Sequence, residues 1–417
     1  MVDEQDFLPQ PAFGERLKRL RQQRGLKQTD LADERGLSSS YVSRIESGRR
    51  AVTPHVAQLL AQRLGVEITA FTGNREAELA RLLSDGQICL SIGDRVGAVR
   101  AFTEALGRAE NAPLSLAWSL RRALITALSD LGMLSEWRQQ QEALVQLAVK
   151  ADAPYLLALA KHGMSNCLRL AGEIVPAYAA AREAYDLTRD HDLATDLRVQ
   201  CLIALIANEV EIGRATEATR HAEELLGLLD EEVPATTRAQ ARWAAATTLS
   251  SRGRHREAVE LITQAMDGLS NGEDLITWAR LRLAAVPIRQ RAGEPVPEQW
   301  RASYRQAALV LRLTAIPVYE VQLDVSEARL AAEEGRHAEA VAHCEAALDR
   351  SELLSFRDRT RTRMLAARLR AALGEWDRSL ADLRAVAEEL QEAGAMDLAA
   401  EAWQLIADMA LARRDPS

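Results

Sequence analysis

Few side chains of this sequence have the types and spacing that catalysis requires. Its seven histidines are scattered, and Cys89, Cys167, Cys201 and Cys344 lie far apart, with no Cys-x-x-Cys pair and no His at ligand spacing. We find no Walker loop, no Gly-x-Gly-x-x-Gly after a strand, no His-Glu-x-x-His and no nucleophile triad. We therefore expect no enzyme activity, no metal and no cofactor, and interpret the cysteines as small apolar residues of reduced, cytoplasmic helices.

The charged side chains offer a different chemistry, because they are unevenly distributed. The net charge is -8, yet residues 12–74 contain 11 Arg and Lys against six Asp and Glu. A small basic module on an acidic body indicates that the N-terminal part approaches a polyanion. A basic face that is merely solvated is the alternative.

Composition indicates how these residues are positioned. The chain is 47% apolar but only 4% aromatic, which favours helices packed through Ala and Leu over a β-sandwich. It contains no apolar run long enough to cross a membrane and no apolar signal core at its N-terminus. We therefore predict an all-α, cytoplasmic protein.

The basic module is predicted to contain five short helical segments. Gly25 ends the first, Ser38 caps the third and Thr53-Pro54 opens the fourth. We predict Leu31, Val42, Ile45 and Leu59 in the core. The predicted segments are Phe13–Arg24, Gln28–Glu34, Ser38 to Gly48, Thr53–Leu64 and Ile68–Phe71.

The second and third of these helices, joined by the Gly36-Leu37 turn, predict a helix-turn-helix. The string GLKQTDLADERGLSSSYVSRIESGRR (Gly25–Arg50) resembles the phage-repressor or XRE family of DNA-binding domains, over about 60 residues. The resemblance implies that the third helix enters the major groove of double-stranded DNA. A helical hairpin that contacts protein is the alternative.

The same resemblance assigns roles to individual residues. Ser39, Ser40 and Arg44 are expected to face bases, and the Arg44 guanidinium can bind guanine O6 and N7 together. Arg21 and Glu46 match a structural ion pair. The expected contacts to phosphate, or to a neighbouring base, come from Gln28, Tyr41, Ser43, Arg49 and Arg50, and from Lys27, which occupies the family's usual Ser or Thr cap position.

From residue 75 onward, glycines recur every 39 to 42 residues between helical stretches. Five residues after most of them stands Ala, as expected where two helices of a hairpin approach closely. The spacing resembles tetratricopeptide repeats lengthened to about 40 residues, and predicts eight of them over residues 75–394. The glycines are Gly93, Gly132, Gly172, Gly213, Gly253, Gly293, Gly335 and Gly374.

Stacked hairpins of this family form a right-handed superhelix whose first helices line a concave groove. The residues predicted to face this groove are polar, apart from one Trp, and suit an extended peptide that needs hydrogen-bond donors and an aromatic wall. An unoccupied solvated face is the alternative. By the repeat register, the groove-facing residues are Arg122, Thr126, His162, Asn166, Arg169, Gln200, Trp243, Thr247, Arg280, Gln322 and Arg329, with Asn208 one step off register.

The irregular parts of the chain give three further expectations. Pro287, inside a predicted helix of the sixth repeat, suggests a hinge or, alternatively, a locally irregular repeat. Within residues 395–417, Ala395–Arg413 is predicted to cap the last repeat, although Trp403, Leu405 and Met409 could instead form a subunit interface. Residues 1–11 and the final RRDPS are predicted to be disordered.

A helix-turn-helix followed by tetratricopeptide repeats resembles the bacterial regulators that sense signalling peptides. The resemblance implies a homodimer on a two-fold operator, with DNA affinity altered when the groove binds a peptide or other effector. In the alternative, the protein is a DNA-binding adaptor whose repeats recruit a protein partner.

Overall fold

The structure, a computed structural model, describes residues 7–32, 37–71, 75–109, 112–293 and 295–414. Within these ranges it contains twenty α-helices and no β-strand, as expected for an all-α protein. No helix in the described part is long and apolar enough to span a membrane. The helices are α1 Ala12–Gln23, α2 Ser39–Glu46, α3 Pro54–Leu64, α4 Arg75–Ser91, α5 Arg95–Gly107, α6 Leu114–Leu131, α7 Leu134–Lys150, α8 Pro154–Leu170, α9 Ile174–Asp190, α10 Thr195–Glu211, α11 Ala215–Gly227, α12 Ala235–Ser251, α13 His255–Asp267, α14 Leu275–Arg291, α15 Glu298–Leu313, α16 Pro317–Glu333, α17 His337–Leu348, α18 Phe356–Ala372, α19 Trp376–Glu392 and α20 Met396–Arg414.

Two compact units make up the chain. The first contains Met1–Ile88 and Arg100–Ala112, and the second contains Cys89–Val99 and Pro113–Ser417. The division therefore falls inside the first helical hairpin rather than at the predicted boundary between residues 74 and 75. That predicted boundary remains an expectation.

The core of the first unit's N-terminal part is built on α1, α2 and α3. The ring of Phe13 stacks on that of Phe71, with centroids 4.8 Å apart. Val42 and Ile45 of α2 are fully buried in the same cluster, so one apolar face of this short helix anchors it. Ser38 caps α2 by accepting a hydrogen bond from the Tyr41 amide, as predicted.

Two expectations for this region need correction. Described residues 28–31 of the predicted second helix form hydrogen-bonded turns rather than α-helix, while residues 33–36 lie outside the described residues. Leu31 is fully buried as predicted, but Leu59 is only partly buried, because its neighbour Leu60 takes the core position.

The predicted disorder of residues 1–11 does not hold for residues 7–11. The Phe7 ring packs edge-on against Phe13, and the Leu8 amide donates to the Phe71 carbonyl oxygen over 3.0 Å. Apolar burial and backbone pairing order this segment. Residues 1–6 lie outside the described residues.

The repeating glycines join the two helices of each predicted hairpin. All eight have positive φ, from 71° to 93°, a left-handed conformation that glycine adopts without steric cost. At Gly213, for example, the next amide, that of Arg214, bonds back to the Glu209 carbonyl over 2.8 Å. The eight predicted hairpins are α4–α5, α6–α7, α8–α9, α10–α11, α12–α13, α14–α15, α16–α17 and α18–α19.

The position five residues after each glycine is buried in seven of the eight hairpins. Ala98, Ala177 and Ser379, for example, are fully buried, which confirms a close approach of the paired helices. Glu298 is the exception and is exposed. It is the first residue of α15, and this helix begins five residues after its glycine instead of the usual two. The delay shifts the buried register.

The first helices of successive hairpins form an inner layer in the second unit. Along this layer α8 contacts α10, α10 contacts α12, α12 contacts α14, and α14 contacts α16; α16 also contacts α6. Pro287 lies inside α14, which continues unbroken to Arg291. The hinge at Pro287 therefore remains a hypothesis.

The last helix, α20, packs on α19 as the predicted cap. Met409 is buried in this contact and Leu405 is partly buried, whereas Trp403 is exposed. The predicted disorder of the tail fails at Arg413, because this residue is helical and its guanidinium pairs with Asp377 at 2.6 Å. Residues 415–417 lie outside the described residues.

Candidate nucleic-acid interface and repeat-domain residues

The outward face of α2 presents a row of small polar residues and one arginine. Ser39, Ser40, Ser43 and Arg44 are all exposed, opposite the buried side of the helix. A helix of eight residues with one apolar stripe leaves the other face free to contact a partner. All four residues were predicted to contact bases or phosphate, and the structure brings them together.

Arg44 lies back along α2 toward its N-terminal end. Its Nε donates to the Ser40 carbonyl oxygen over 3.3 Å, and one Nη lies 3.5 Å from the Ser40 hydroxyl. That hydroxyl in turn lies 3.1 Å from the hydroxyl of Ser38. The guanidinium is held by long, exposed hydrogen bonds, so little free energy is lost when it turns toward another acceptor.

Tyr41 and Arg50 meet at the edge of this face. The Arg50 guanidinium carbon lies 5.3 Å from the Tyr41 ring centroid, in cation–π geometry. Tyr41 is half-buried against the core, whereas Arg49 and Arg50 are exposed. The predicted phosphate contacts of Arg49 and Arg50 therefore come from the loop that directly follows α2.

A buried network holds α2 against α1, and it includes the predicted ion pair. The Arg21 guanidinium grips Glu46 with two hydrogen bonds of 2.6 and 3.0 Å, and donates a third to the Leu26 carbonyl over 2.8 Å. The hydrogen bond to Glu46 raises the pKa of Arg21. Gln28 joins the pair, because its Nε2 donates to Glu46 over 2.8 Å. Its side chain is thus occupied by a protein contact, and its phosphate contact remains a prediction.

Three residues that position α2 were missed from the sequence. A Cβ at Gly14 would lie 2.1 Å from the Ile45 carbonyl oxygen, so only glycine permits α1 and α2 to approach this closely. Gln10 accepts from the Gly14 amide and donates to the Arg50 carbonyl. Asp30 accepts from the Lys27 amide at 2.7 Å and so fixes the turn that begins at Lys27. The Asp30 spacing was the one signal visible in the sequence.

Arg122, His162 and Asn166 of the predicted groove meet in the second unit. His162 Nε2 lies 3.4 Å from Asn166 Nδ2. Burial, assisted by the positive charge of Arg122, lowers the pKa of His162 to about 4. His162 is therefore a neutral polar group at ordinary pH, able to donate and accept one hydrogen bond each.

A second group forms around Trp243. The Arg280 guanidinium carbon lies 5.3 Å from the Trp243 ring centroid and 5.9 Å from that of Tyr319. Tyr319, on α16, was not among the residues predicted to face the groove. The hydroxyl of Thr247 donates to the Trp243 carbonyl within its own helix.

The remaining groove residues differ in how accessible they are. Asn208 is fully buried and donates to the Ala204 carbonyl over 2.8 Å, so its expected place in the groove was wrong; its position one step off register had already turned it inward. Arg169 is half-buried at 4.0 Å from Glu211. Gln200, Gln322 and Arg329 are half-buried, and Thr126 is exposed.

The chain itself covers the C-terminal ends of three inner helices. A Cβ at Gly132 would lie 2.1 Å from the Leu353 side chain, and one at Gly172 would lie 3.9 Å from Phe356. Near the end of α10, the Val210 carbonyl oxygen accepts a hydrogen bond of 3.2 Å from Arg357. Arg357 also pairs with Asp397 of α20 at 2.7 Å. The segment from Leu353 to Arg357, which leads into α18, therefore packs on the ends of α6, α8 and α10.

Comparison with known proteins agrees with this division into two kinds of structure. A family model described as helix-turn-helix matches residues 17–71. The HTH-type transcriptional regulator PrpR of Mycobacterium tuberculosis (strain ATCC 25618 / H37Rv) is 43% identical over 72 residues, which make up 17% of this chain and 15% of PrpR. The chain thus matches a small part of that relative's length.

Two solved structures resemble the whole chain more broadly. One is the Rap conjugation gene regulator of plasmid pLS20 in complex with the Phr* peptide, with a TM-score of 0.51, 12% identity, and coverage of 84% of this chain and 99% of that one. The other is a Rap protein complexed with Competence and Sporulation Factor, with a TM-score of 0.50, 14% identity, and coverage of 80% and 99%. At such identities the likeness establishes the fold alone. This chain therefore joins an N-terminal helix-turn-helix domain of the XRE type to a body of tetratricopeptide-like helical hairpins.

Proposed function

We propose that this protein is a DNA-binding transcriptional regulator whose repeat body binds an effector that controls operator binding. The observation that carries the first half is the outward face of α2. Ser39, Ser40, Ser43 and Arg44 are exposed there, while the helix is held from behind by the Arg21–Glu46 pair and by Gly14. A rigidly held helix with exposed donors suits insertion into the major groove.

In this proposal, base reading and backbone binding fall to different residues. Arg44, on the helix, makes the bidentate contact to guanine that distinguishes one base pair from another. Arg49 and Arg50, in the following loop, bind phosphates and add affinity without adding specificity. Lys27 and Gln28 contribute a phosphate contact from the start of the preceding turn.

The effector half of the proposal rests on the inner layer of hairpins. Arg122, His162 and Asn166 form one polar group there, and Trp243 with Arg280 forms a second that combines a cation with an aromatic ring. Of the two Rap structures with a similar fold, one is bound to the Phr* peptide and the other to Competence and Sporulation Factor. A peptide offers backbone carbonyls and side chains that these two groups can bind.

Operator binding is expected to involve a homodimer. A two-fold operator with half-sites about 34 Å apart, or a multiple of that distance, would place both recognition helices on one face of the duplex. Light scattering of the full chain, free and on operator DNA, measures the stoichiometry. A single copy on an intact operator would contradict the dimer.

The DNA-binding half is tested by comparing Arg44→Ala with Arg49→Ala. After bound sites are mapped genome-wide, affinity is measured for operator and random DNA over a range of salt concentrations. Arg44→Ala should reduce the preference for operator by about 1–3 kcal/mol, and Arg49→Ala should weaken both DNAs equally and lower the salt slope by about 1. Equal losses on both DNAs for Arg44→Ala would remove it from base reading.

A further inference from the structure

A cavity of about 800 Å³ lies in the second unit, away from the His162 and Trp243 groups. Its walls come from α14, α16, α18 and α20. Four guanidinium groups line it, one or two from each of the first three helices: Arg291, Arg329, Arg361 and Arg368. Only one of them, Arg329, was predicted from the sequence to face the groove.

These four arginines lack partners. In the part of the chain that the structure describes, none of their side chains makes an ion pair or a hydrogen bond. The contrast with Arg301 nearby is direct, since that side chain pairs with Glu333 of the cavity wall at 2.8 Å. Glu333 also accepts from Gln290 over 2.9 Å and from the Val296 amide over 3.0 Å.

The other acids near the cavity compensate for the arginines only in part: Glu401 and Asp358 act on Arg291 and Arg361 through space and raise their pKa values less than burial lowers them. Glu401 and Asp408 line it from α20, but both are exposed and neither reaches a guanidinium. Burial lowers the pKa of Arg361 to about 9 and that of Arg291 to about 10, and each is lowered further by a neighbouring guanidinium. Both remain protonated at neutral pH, so the cavity is positively charged.

Withdrawing a charge from water is costly unless a partner of opposite charge replaces the lost hydration. Three helices each direct such a charge into one space that is large enough for a small molecule. The planar guanidinium fork matches the two oxygens of a carboxylate or phosphate group. The group missing from this arrangement is an anion.

We propose that this cavity binds a small, multiply charged anion that carries phosphate or carboxylate groups. The assignment goes beyond the proposed function, because it adds a second ligand site, away from the two polar groups that are proposed to bind a peptide. An anion that bridges Arg291 and Arg329 to Arg361 would tie α18 to α14 and α16. The same helix begins with Phe356 and Arg357, which pack on the ends of α8 and α10, so the bound anion would stabilise the present packing of the inner layer.

The test uses the full chain without DNA. Calorimetric titration and thermal unfolding are measured with sodium pyrophosphate and, separately, with sodium tricarballylate, each against sodium chloride at equal ionic strength. The variants are Arg361→Gln and Arg329→Gln. The matched control is Arg384→Gln, an exposed arginine of α19 away from the cavity.

We expect saturable binding of at least one anion, with a raised Tm, in the wild type and in Arg384→Gln. Affinity should fall at least about tenfold in both cavity variants, since each removes a charge-assisted hydrogen bond. The ligand-free Tm of Arg361→Gln should equal or exceed that of the wild type, because an uncompensated charge is removed; an arginine with a purely structural role would lower it. Binding of pyrophosphate alone assigns a phosphate-bearing ligand, and binding of tricarballylate alone assigns a carboxylate.

The proposal is overturned if neither anion binds beyond the effect of sodium chloride, or if all three variants keep the wild-type affinity. If Arg361→Gln does not fold, Arg329→Gln decides alone. Because no DNA is present, failure here leaves the DNA-binding half of the proposed function intact, and failure of operator binding leaves the cavity intact.

Discussion

The helix-turn-helix domain and the repeat body use arginine in opposite ways. In the domain, Arg44 and Arg49 stand in solvent, and the inward-facing Arg21 is matched by two hydrogen bonds to Glu46. In the repeat body, the half-buried Arg291 and Arg361 face an open cavity and form no ion pair. An exposed cation is hydrated until it meets DNA, whereas a half-buried cation has lost part of its hydration and lacks a replacement.

The difference separates two ways of preparing for a charged ligand. A polyanion such as DNA supplies many weak, salt-dependent contacts, so exposed arginines on one convex face are sufficient. A small anion makes few contacts, and each must be strong, which requires several guanidiniums around a space of limited dielectric screening.

The largest effect is expected where the buried Arg21–Glu46 pair is broken. Glu46→Ala removes the partner of Arg21, whose side chain is only 12% exposed, and should cost about 3–5 kcal/mol of domain stability. Native-state hydrogen exchange over residues 37–71 measures this loss. Glu46→Gln, which keeps one acceptor oxygen but replaces the other by an amide donor, should lose less. Equal stability of all three proteins would show that the pair does not hold α2.

A smaller loss is expected at the contact between α1 and α2. Gly14→Ala places a methyl group 2.1 Å from the Ile45 carbonyl oxygen, so the helices must separate, at about 2–3 kcal/mol. Operator affinity should fall as well, because α2 is displaced. Gly107→Ala is the control, since no atom lies within 4 Å of the added Cβ; it should be neutral or slightly stabilising. If Gly14→Ala leaves the DNA affinity unchanged, the position of α2 relative to α1 does not determine DNA binding.

The smallest effect concerns the inner layer of the repeat body and its pH dependence. The pKa of His162 is lowered to about 4 in the folded protein, against about 6.5 when unfolded. The unfolded chain therefore binds more protons between these values. The contribution of His162 to stability is constant above about pH 6.5 and is lost as the pH drops toward 4. The half-buried ring should contribute about 1–2 kcal/mol of this loss.

Chemical denaturation at pH 7 and pH 4.5 measures the contribution of His162. His162→Gln should reduce the stability difference between the two pH values, whereas His191→Gln, at an exposed site, serves as the control. An unaltered difference in His162→Gln would mean that folding leaves the pKa of His162 unchanged. The inner layer would then resemble the solvated face of the helix-turn-helix domain.

The features that were predicted correctly depend on local geometry. Ser38 and Thr53 cap helices because their side chains accept from amides three residues later. Gly93 and the seven glycines that follow end first helices because a tight turn needs a positive φ. Where local geometry changed, prediction failed, as at Glu298, where a longer turn delayed the start of α15.

Short-range sequence patterns were enough to predict the helical elements and most helix ends, and the glycine spacing was enough to predict the repeat period. The exposed row on α2 was predicted from the family resemblance. Contacts between distant residues could not be predicted in this way: Gln28 bonds to Glu46, Arg357 reaches Val210 across 147 positions, and four arginines share one cavity. These contacts depend on how α2 packs against α1 and on how successive hairpins stack, and no local pattern records either.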